Sequence, residues 1–209
     1  IMKAIIFLNG EYNYSKDFFE NIIDKDTEIY CADGGTNYCL EYNYIPNYVY
    51  GDLDSIKPDV LKKIEDLGVK IEKFPVDKDY SDFELVLEEI KEKNYKKIYV
   101  VGALGKRTDF TINNLFLLEK YKNITVLSET ETIFYNDKSF VIEDMKNYRF
   151  SMISLDECIS DITLIGFKYP LENRYIERGS SILMSNIILT NHAEVRFSRG
   201  KIIGILCEE

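Results

Sequence analysis

The chain is 209 residues long, 45% hydrophobic and 30% charged, with a formal net charge of −10; such a chain buries a sizeable core as one large domain or two small ones. The acidic balance argues against nucleic acid or a membrane surface as partner, and no apolar run approaches the ~18 residues of a membrane span. Four scattered cysteines (Cys31, Cys39, Cys158, Cys207) without a C-x-x-C pair, and a single histidine, His192, argue against a redox dithiol, a multi-histidine zinc site and a His-dependent triad.

At the N-terminus, "KAIIFLNG" is too short for a secretory signal; Met2 rather than Ile1 reads as the natural start, and free thiols fit a reducing cytoplasm. Six short runs read as strands: Lys3–Leu8, Glu28–Asp33, Asn47–Asp52, Val69–Pro75, Lys96–Ala103 and Asn123–Ser128. Helical patterns lie between them. In "KPDVLKKIEDLG" the residues Val60, Leu61, Ile64 and Leu67 share a face, and Gly68 supplies the stop. In "YSDFELVLEEIKEKN" the stripe is Phe83, Val86, Leu87 and Ile90, opened by the capping box Ser81/Glu84. "RTDFTINNLFLLEKY" offers Phe110, Leu115, Leu117 and Leu118. Alternation at this spacing predicts an α/β fold, a mostly parallel sheet with helices on both faces, over residues 2–128. From residue 129 to 209 the texture changes to short β-rich runs separated by turn residues, which predicts a smaller all-β sandwich domain. There "SRGK" (Ser198–Lys201) reads as a hairpin turn and His192 as a solvent-facing turn residue.

Ligands of an open parallel sheet bind beyond the carboxyl ends of its strands, and polar clusters follow four of the predicted strands. "ADGGTN" (Ala32–Asn37) is in its plainest reading a tight turn opening a helix, although its two glycines also let a backbone approach a phosphate or ribose. "GDLDS" (Gly51–Ser55) has more than a helix cap requires, because Asp52, Asp54 and Ser55 are all available for one capping position. In "DKDYSD" (Asp77–Asp82), Ser81 accounts for the cap and Asp82 for first-turn charge, which leaves Asp77 and Asp79 unassigned. "GALGKRTD" (Gly102–Asp109) lacks the spacing of a P-loop, but a glycine turn bearing Lys106 and Arg107 can hold phosphate oxygens, Arg107 through its fork. Surplus carboxylates with few histidines suit Mg²⁺, which takes one or two carboxylates together with substrate phosphates. A divalent ion between Asp52 and Asp54 resolves the repulsion of two carboxylates placed two residues apart.

Taken in order, "DGGTN" (Asp33–Asn37), "GDLDS", "DKDYSDFE", "GALGKRTDFTINNLFLL", "GFKYPLEN" (Gly166–Asn173) and "SILMSN" (Ser181–Asn186) resemble the successive signatures of the thiamine pyrophosphokinase family over nearly the whole chain. The resemblance implies an N-terminal α/β catalytic domain, a C-terminal thiamine-binding and dimerisation sandwich, and a homodimer with active sites between subunits. It implies transfer of the terminal diphosphate of ATP to the hydroxyl of thiamine, with Mg²⁺ as cofactor and AMP released. By position, Asp52, Asp54 and Asp77 become the metal and phosphate-clamp residues, and Asp79, Asp82 and Asp109 auxiliary carboxylates. Arg107, with Lys106 and Gly102, faces the phosphates; Asp33, Gly34, Gly35 and Asn37 line the nucleotide. Ser185 and Asn186 reach thiamine, and Tyr169 is the aromatic candidate to stack on it, since the chain has no Trp. Two positions depart from the family's common "GGRxDH": Lys106 stands for a glycine, and Phe110 where His or Gln is usual.

Diphosphoryl transfer asks for positioning and charge neutralisation rather than covalent catalysis. Asp77 or Asp79 is the expected proton acceptor for the thiamine hydroxyl. Three other functions use the same rim: a Mg²⁺-dependent phosphohydrolase, a pyrophosphokinase acting on another alcohol such as a pterin, and a nucleotide-binding regulator without chemistry. Acceptor dependence and AMP release separate them.

Overall fold

A computed structural model describes residues 2–75, 77, 79–121 and 123–208 of the chain. Its contacts divide it into two units, Ile1–Glu129 and Thr130–Glu209.

The first unit alternates strand and helix: β1 (Lys3–Phe7), β2 (Thr27–Ala32), α1 (Gly35–Glu41), β3 (Tyr48–Gly51), α2 (Pro58–Asp66), β4 (Lys70–Lys73), α3 (Asp82–Ile90), β5 (Lys97–Val101), α4 (Thr108–Lys120) and β6 (Ile124–Leu127). The strands pair in parallel in the order β6-β5-β1-β2-β3-β4. Lys3 stands beside both Thr27 and Lys97, so β1 is covered at both edges. Helix α1 packs against it, and Ile5, Ile6 and Phe7 are fully buried, each contributing about 1.5–3 kcal/mol of apolar transfer. The edge strand β4, "KIEK", is largely exposed, as charged edges are. From β1 the chain order runs one way through β2, β3 and β4 and the other way through β5 and β6, so the sheet reverses direction between β1 and β5. That reversal leaves a crevice at the carboxyl ends of the two strands.

The helices follow from their caps and stripes. Pro58 opens α2, where its missing N–H costs nothing. Ser81 Oγ accepts the Glu84 N–H at 3.2 Å at the start of α3, whose Phe83, Val86, Leu87 and Ile90 are buried. Two apolar expectations fail. Leu67, expected on the buried face of α2, lies just past its last turn and is 49% exposed, and Phe110 at the start of α4 is 45% exposed. In α4 the buried face is Asn114, Leu117 and Leu118. An aromatic cluster of Phe7, Tyr12, Tyr14, Phe19 and Tyr42 packs against the end of β1. Within it, Tyr14 hydroxyl donates to the Leu127 carbonyl and accepts the Gly102 N–H, which ties the ends of β5 and β6 together.

The second unit is antiparallel. Strands β7 (Glu131–Asn136), β9 (Arg149–Ser154), β12 (Asn186–Ile187) and β14 (Ile202–Cys207) form one sheet in the order β12-β9-β14-β7. Strands β8 (Phe140–Glu143), β10 (Cys158–Ile165), β11 (Leu171–Glu177) and β13 (His192–Arg196) form the other, in the order β11-β10-β13-β8. Both sheets turn alternate side chains into one core, which includes Phe150, Met152, Ile202 and Leu206 from the first sheet and Ile159, Ile162, Leu164 and Val195 from the second; this is a sandwich. The "SRGK" segment is not a hairpin. It carries the chain from β13 in one sheet to β14 in the other, and Gly200 there holds a φ of +144° with Ile159 only 3.2 Å from where a Cβ would stand. His192 is not in a turn. It opens β13, with Nδ1 2.8 Å from Glu143 Oε1 across the pair.

Candidate active site

At the carboxyl end of the first sheet lies a cavity of about 400 Å³, in the size range of ligand pockets. Five successive strand ends supply its wall: Leu8–Gly10 after β1, Ala32 and Asp33 after β2, Asp52, Asp54 and Ser55 after β3, Ser81–Phe83 after β4, and Gly102, Ala103 and Gly105–Arg107 after β5. Asn114 and Phe110 of α4 complete it.

Three carboxylates converge there. Asp33, Asp52 and Asp54 each bring one oxygen to within 4.8 Å of the others. Asp33 holds a φ of +43°, its N–H donates to the Tyr50 carbonyl at 2.7 Å, and the Asp33 carbonyl accepts from Thr36 Oγ1 at 2.7 Å. It is 6% exposed. Burial pushes its carboxyl above the usual range; hydrogen bonds from Ser55 and Gly34 oppose that rise, and the like charges of Asp82 and Asp52 add to it. Gly51 keeps the neighbouring strand end close, because at its φ of +144° a Cβ would stand 2.9 Å from Asp33 Cβ. The "GDLDS" loop is then folded on itself: Asp54 N–H donates to Asp52 Oδ1 at 3.1 Å, Ser55 Oγ to Asp54 Oδ1 at 2.9 Å, and Ser55 N–H to Asp33 Oδ1 at 3.4 Å. Leu53 between them takes a φ of +70°, a strained conformation for a branched residue. A compact set of hard oxygen donors, one of them buried with its pKa raised and no cation among its described partners, fits a divalent ion such as Mg²⁺.

Two basic residues line the same cavity among the described residues. Lys106, at a φ of +53°, donates through Nζ to Asn9 Oδ1 at 3.0 Å and to Tyr38 hydroxyl at 2.7 Å. Arg107 forms a two-point pair with Asp109, Nε to Oδ1 at 3.1 Å and Nη2 to Oδ2 at 2.5 Å, with its guanidinium carbon 4.5 Å from the Phe110 ring centre. The pair holds the Asp109 carboxyl below its ordinary range.

Of the residues singled out from the sequence, Asp33, Asp52, Asp54, Asp82, Gly102, Lys106 and Arg107 line this cavity. Asp33 joins Asp52 and Asp54 in the three-carboxylate group; Asp77 and Asp79 are exposed and belong neither to that group nor to the cavity wall among the described residues. Gly34, Gly35 and Asn37 are not among the residues that line the cavity. Asn37 fastens the aspartate loop, Nδ2 donating to the Ser55 carbonyl at 2.8 Å and Oδ1 accepting the Lys57 N–H at 2.9 Å. Asn9, Gly10, Tyr38 and Asn114 were missed. The "NG" after the first strand marked the first two, whereas the other two sit in helices whose pattern carried no such signal.

In the second unit, Asn186 is 3% exposed and bonded through both ends of its amide: its Oδ1 accepts the Tyr169 and Ile187 N–H groups, and its Nδ2 donates to the Tyr169 carbonyl at 2.8 Å. That grip holds the backbone of Tyr169, whose side chain is 58% exposed. Ser185, at a φ of +57°, accepts a hydrogen bond from Arg149 at 3.0 Å.

Known proteins resemble the chain over both units. Residues 19–128 match the family described as "Thiamin pyrophosphokinase, catalytic domain", and residues 139–202 match its "vitamin B1 binding domain". The thiamine pyrophosphokinase of Bacillus subtilis is 31% identical over 98% of this chain and 98% of its own. A crystal structure of the enzyme of that name from B. subtilis superposes with a TM-score of 0.89 at 28% identity, covering 99% of each chain; one from Geobacillus thermodenitrificans gives 0.87 at 27%, covering 100% and 98%. Matched by the family's models over residues 19–128 and 139–202 and by a 31% identical relative over 98% of both chains, the chain belongs to the thiamine pyrophosphokinase family.

Proposed function

We infer that this protein is a thiamine pyrophosphokinase, an enzyme that transfers a diphosphate group from ATP to the hydroxyl of thiamine and releases AMP. The observation that carries the reading is the convergence of Asp33, Asp52 and Asp54 in a cavity that Lys106 and Arg107 also line. Asp33, Asp52 and Asp54 would hold Mg²⁺, which when bound supplies positive charge to the phosphate oxygens.

The remaining work falls to side chains and shape. The thiamine oxygen attacks the β-phosphorus of ATP; the new O–P bond forms as the bond to the α,β-bridging oxygen breaks, and AMP leaves with that electron pair. Lys106 and Arg107 are the cations available to balance the charge on the departing phosphate. The hydroxyl proton passes to a carboxylate, and Asp82 is better placed than Asp77 or Asp79 because it lines the cavity. Asp77 and Asp79, exposed on the loop before α3, remain as attractive charge for the cationic thiazolium. Thiamine recognition belongs to the second unit, with Tyr169 as stacking surface, Ser185 as polar contact and Asn186 as the residue that fixes both chain segments. The working assembly is a homodimer.

The test is to incubate the protein with ATP, thiamine and Mg²⁺ and to quantify AMP and thiamine diphosphate. They are expected in equal amounts, neither appearing without thiamine. Phosphate or diphosphate release without thiamine would convert the reading to a hydrolase.

A further inference from the structure

The residue that departs from the family pattern in the phosphate turn occupies the conformation a glycine is made for. Lys106 has a φ of +53°, where a side chain is strained and glycine is not. Its ammonium is nevertheless held in place. Nζ donates to Asn9 Oδ1 and Tyr38 hydroxyl, and it stands 4.7 Å from the centre of the Tyr38 ring. That ring is itself fixed, stacked on Tyr12 with centres 4.1 Å apart and planes 7° from parallel. Tyr12 in turn is anchored by a 2.8 Å hydrogen bond to the Leu8 carbonyl at the end of β1.

The two cations that line the cavity among the described residues differ in what they have available. Arg107 keeps three of its five N–H donors, but its charge is already matched by the Asp109 carboxylate, which takes the other two, and one flat face lies against Phe110. The printed partners of Lys106 are neutral oxygens and a ring face, and the described residues give it no carboxylate. Two of its three N–H donors are used, which leaves one for an incoming anion. Neutral partners are weak competitors for a phosphate oxygen, since hydrogen bonds between charged groups are about twice as strong.

We propose that Lys106 is the principal phosphate-binding cation of this protein, held ready by Asn9 and Tyr38, and that Arg107 acts chiefly by holding Asp109 at the start of α4. The ligand class is a nucleoside 5′-phosphate or polyphosphate. The proposal rests on the nucleotide reading of the cavity and assigns within it a role that the glycine of the family pattern cannot fill.

The experiment is a calorimetric titration with ADP in EDTA, so that no divalent ion contributes. It compares the parent, Lys106→Gly, Lys106→Arg and Arg107→Ala. Lys106→Gly is expected to bind ADP about tenfold more weakly, as loss of one charge-assisted hydrogen bond implies. Its Tm should equal or exceed the parent's, because glycine suits the left-handed turn. Lys106→Arg should recover part of the affinity, and Arg107→Ala should lose less than Lys106→Gly. The proposal fails if Lys106→Gly binds within about twofold of the parent, if Arg107→Ala loses more, or if the parent binds no ADP. A parent that binds ADP yet forms no thiamine diphosphate overturns the reaction instead, and the titration still decides the role of Lys106.

Discussion

The acidic rim of the first unit and the Ser185–Asn186 turn of the second are both polar, both contain residues at positive φ, and both were candidate sites. They differ in what their side chains still have to offer. Asn186 is buried with its amide bonded to Tyr169 and Ile187. Asp33 is as deeply buried, yet burial and two neighbouring carboxylates push its pKa up, and its hydrogen bonds from Ser55 and Gly34 only partly offset this. A buried polar group whose bonding capacity is used belongs to the scaffold, whereas one left in electrostatic debt has a ligand still to come.

The sharpest way to break that contrast is Asp33→Asn. It keeps the shape and removes the buried charge, so activity with Mg²⁺ should fall by ~10²-fold or more. The metal-free protein should at the same time gain stability at neutral pH, with Tm rising by a few degrees. A steady-state assay and a melting curve in EDTA check the two halves. A variant that lost activity and also melted lower would make Asp33 a scaffold residue, and the distinction from Asn186 would collapse.

Asn186→Ala tests the other side. Removing the amide leaves the buried N–H and carbonyl of Tyr169 without their partner, which costs about 1–3 kcal/mol. The loss should appear as a lower Tm and, in hydrogen exchange, as faster exchange of amides in the second unit only. ADP affinity should be unchanged. Thiamine affinity should weaken through displacement of Tyr169, and Tyr169→Ala would reproduce the thiamine effect without the loss of stability.

How much of this was legible follows the same line. The parallel sheet, the capping of α3 by Ser81 and the rim carboxylates could be read because strand ends and helix starts leave local patterns. The sandwich could be read as β-rich, but sheet membership could not: "SRGK" looks like a hairpin turn because its residues fit one, and only the pairing of β13 with β10 and β8, and of β14 with β7 and β9, shows that it crosses between sheets. Likewise the grouping of Asp33 with Asp52 and Asp54 depends on β2 and β3 being neighbours. In sequence, "DGG" looks like a turn and "DKD" like the third arm of a clamp. His192 had no pattern to reveal that it faces Glu143 across a strand pair.

The smallest effect comes from a carboxylate of the first unit that is the reverse of Asp33. Glu88 on α3 accepts from Lys91 at 2.6 Å, also bonds Tyr121, and has Lys120 at 3.7 Å. These partners, Lys91 first, hold its carboxyl at about 2 against an ordinary 4.5. A carboxyl whose pKa falls on folding stabilises the fold above its unfolded value and loses that contribution as pH drops through the folded value. The window here runs from pH 4.5 down to about 2. Glu88→Gln should therefore lower Tm by only about 1–3 °C at pH 7, because ion pairs near the surface are weak. The gap between parent and variant should close as pH falls through that window, and thiamine diphosphate formation should not change. If the gap instead widened in acid, the pairing would be destabilising. The rule that satisfied charge belongs to scaffold and unsatisfied charge to chemistry would then fail within a single domain.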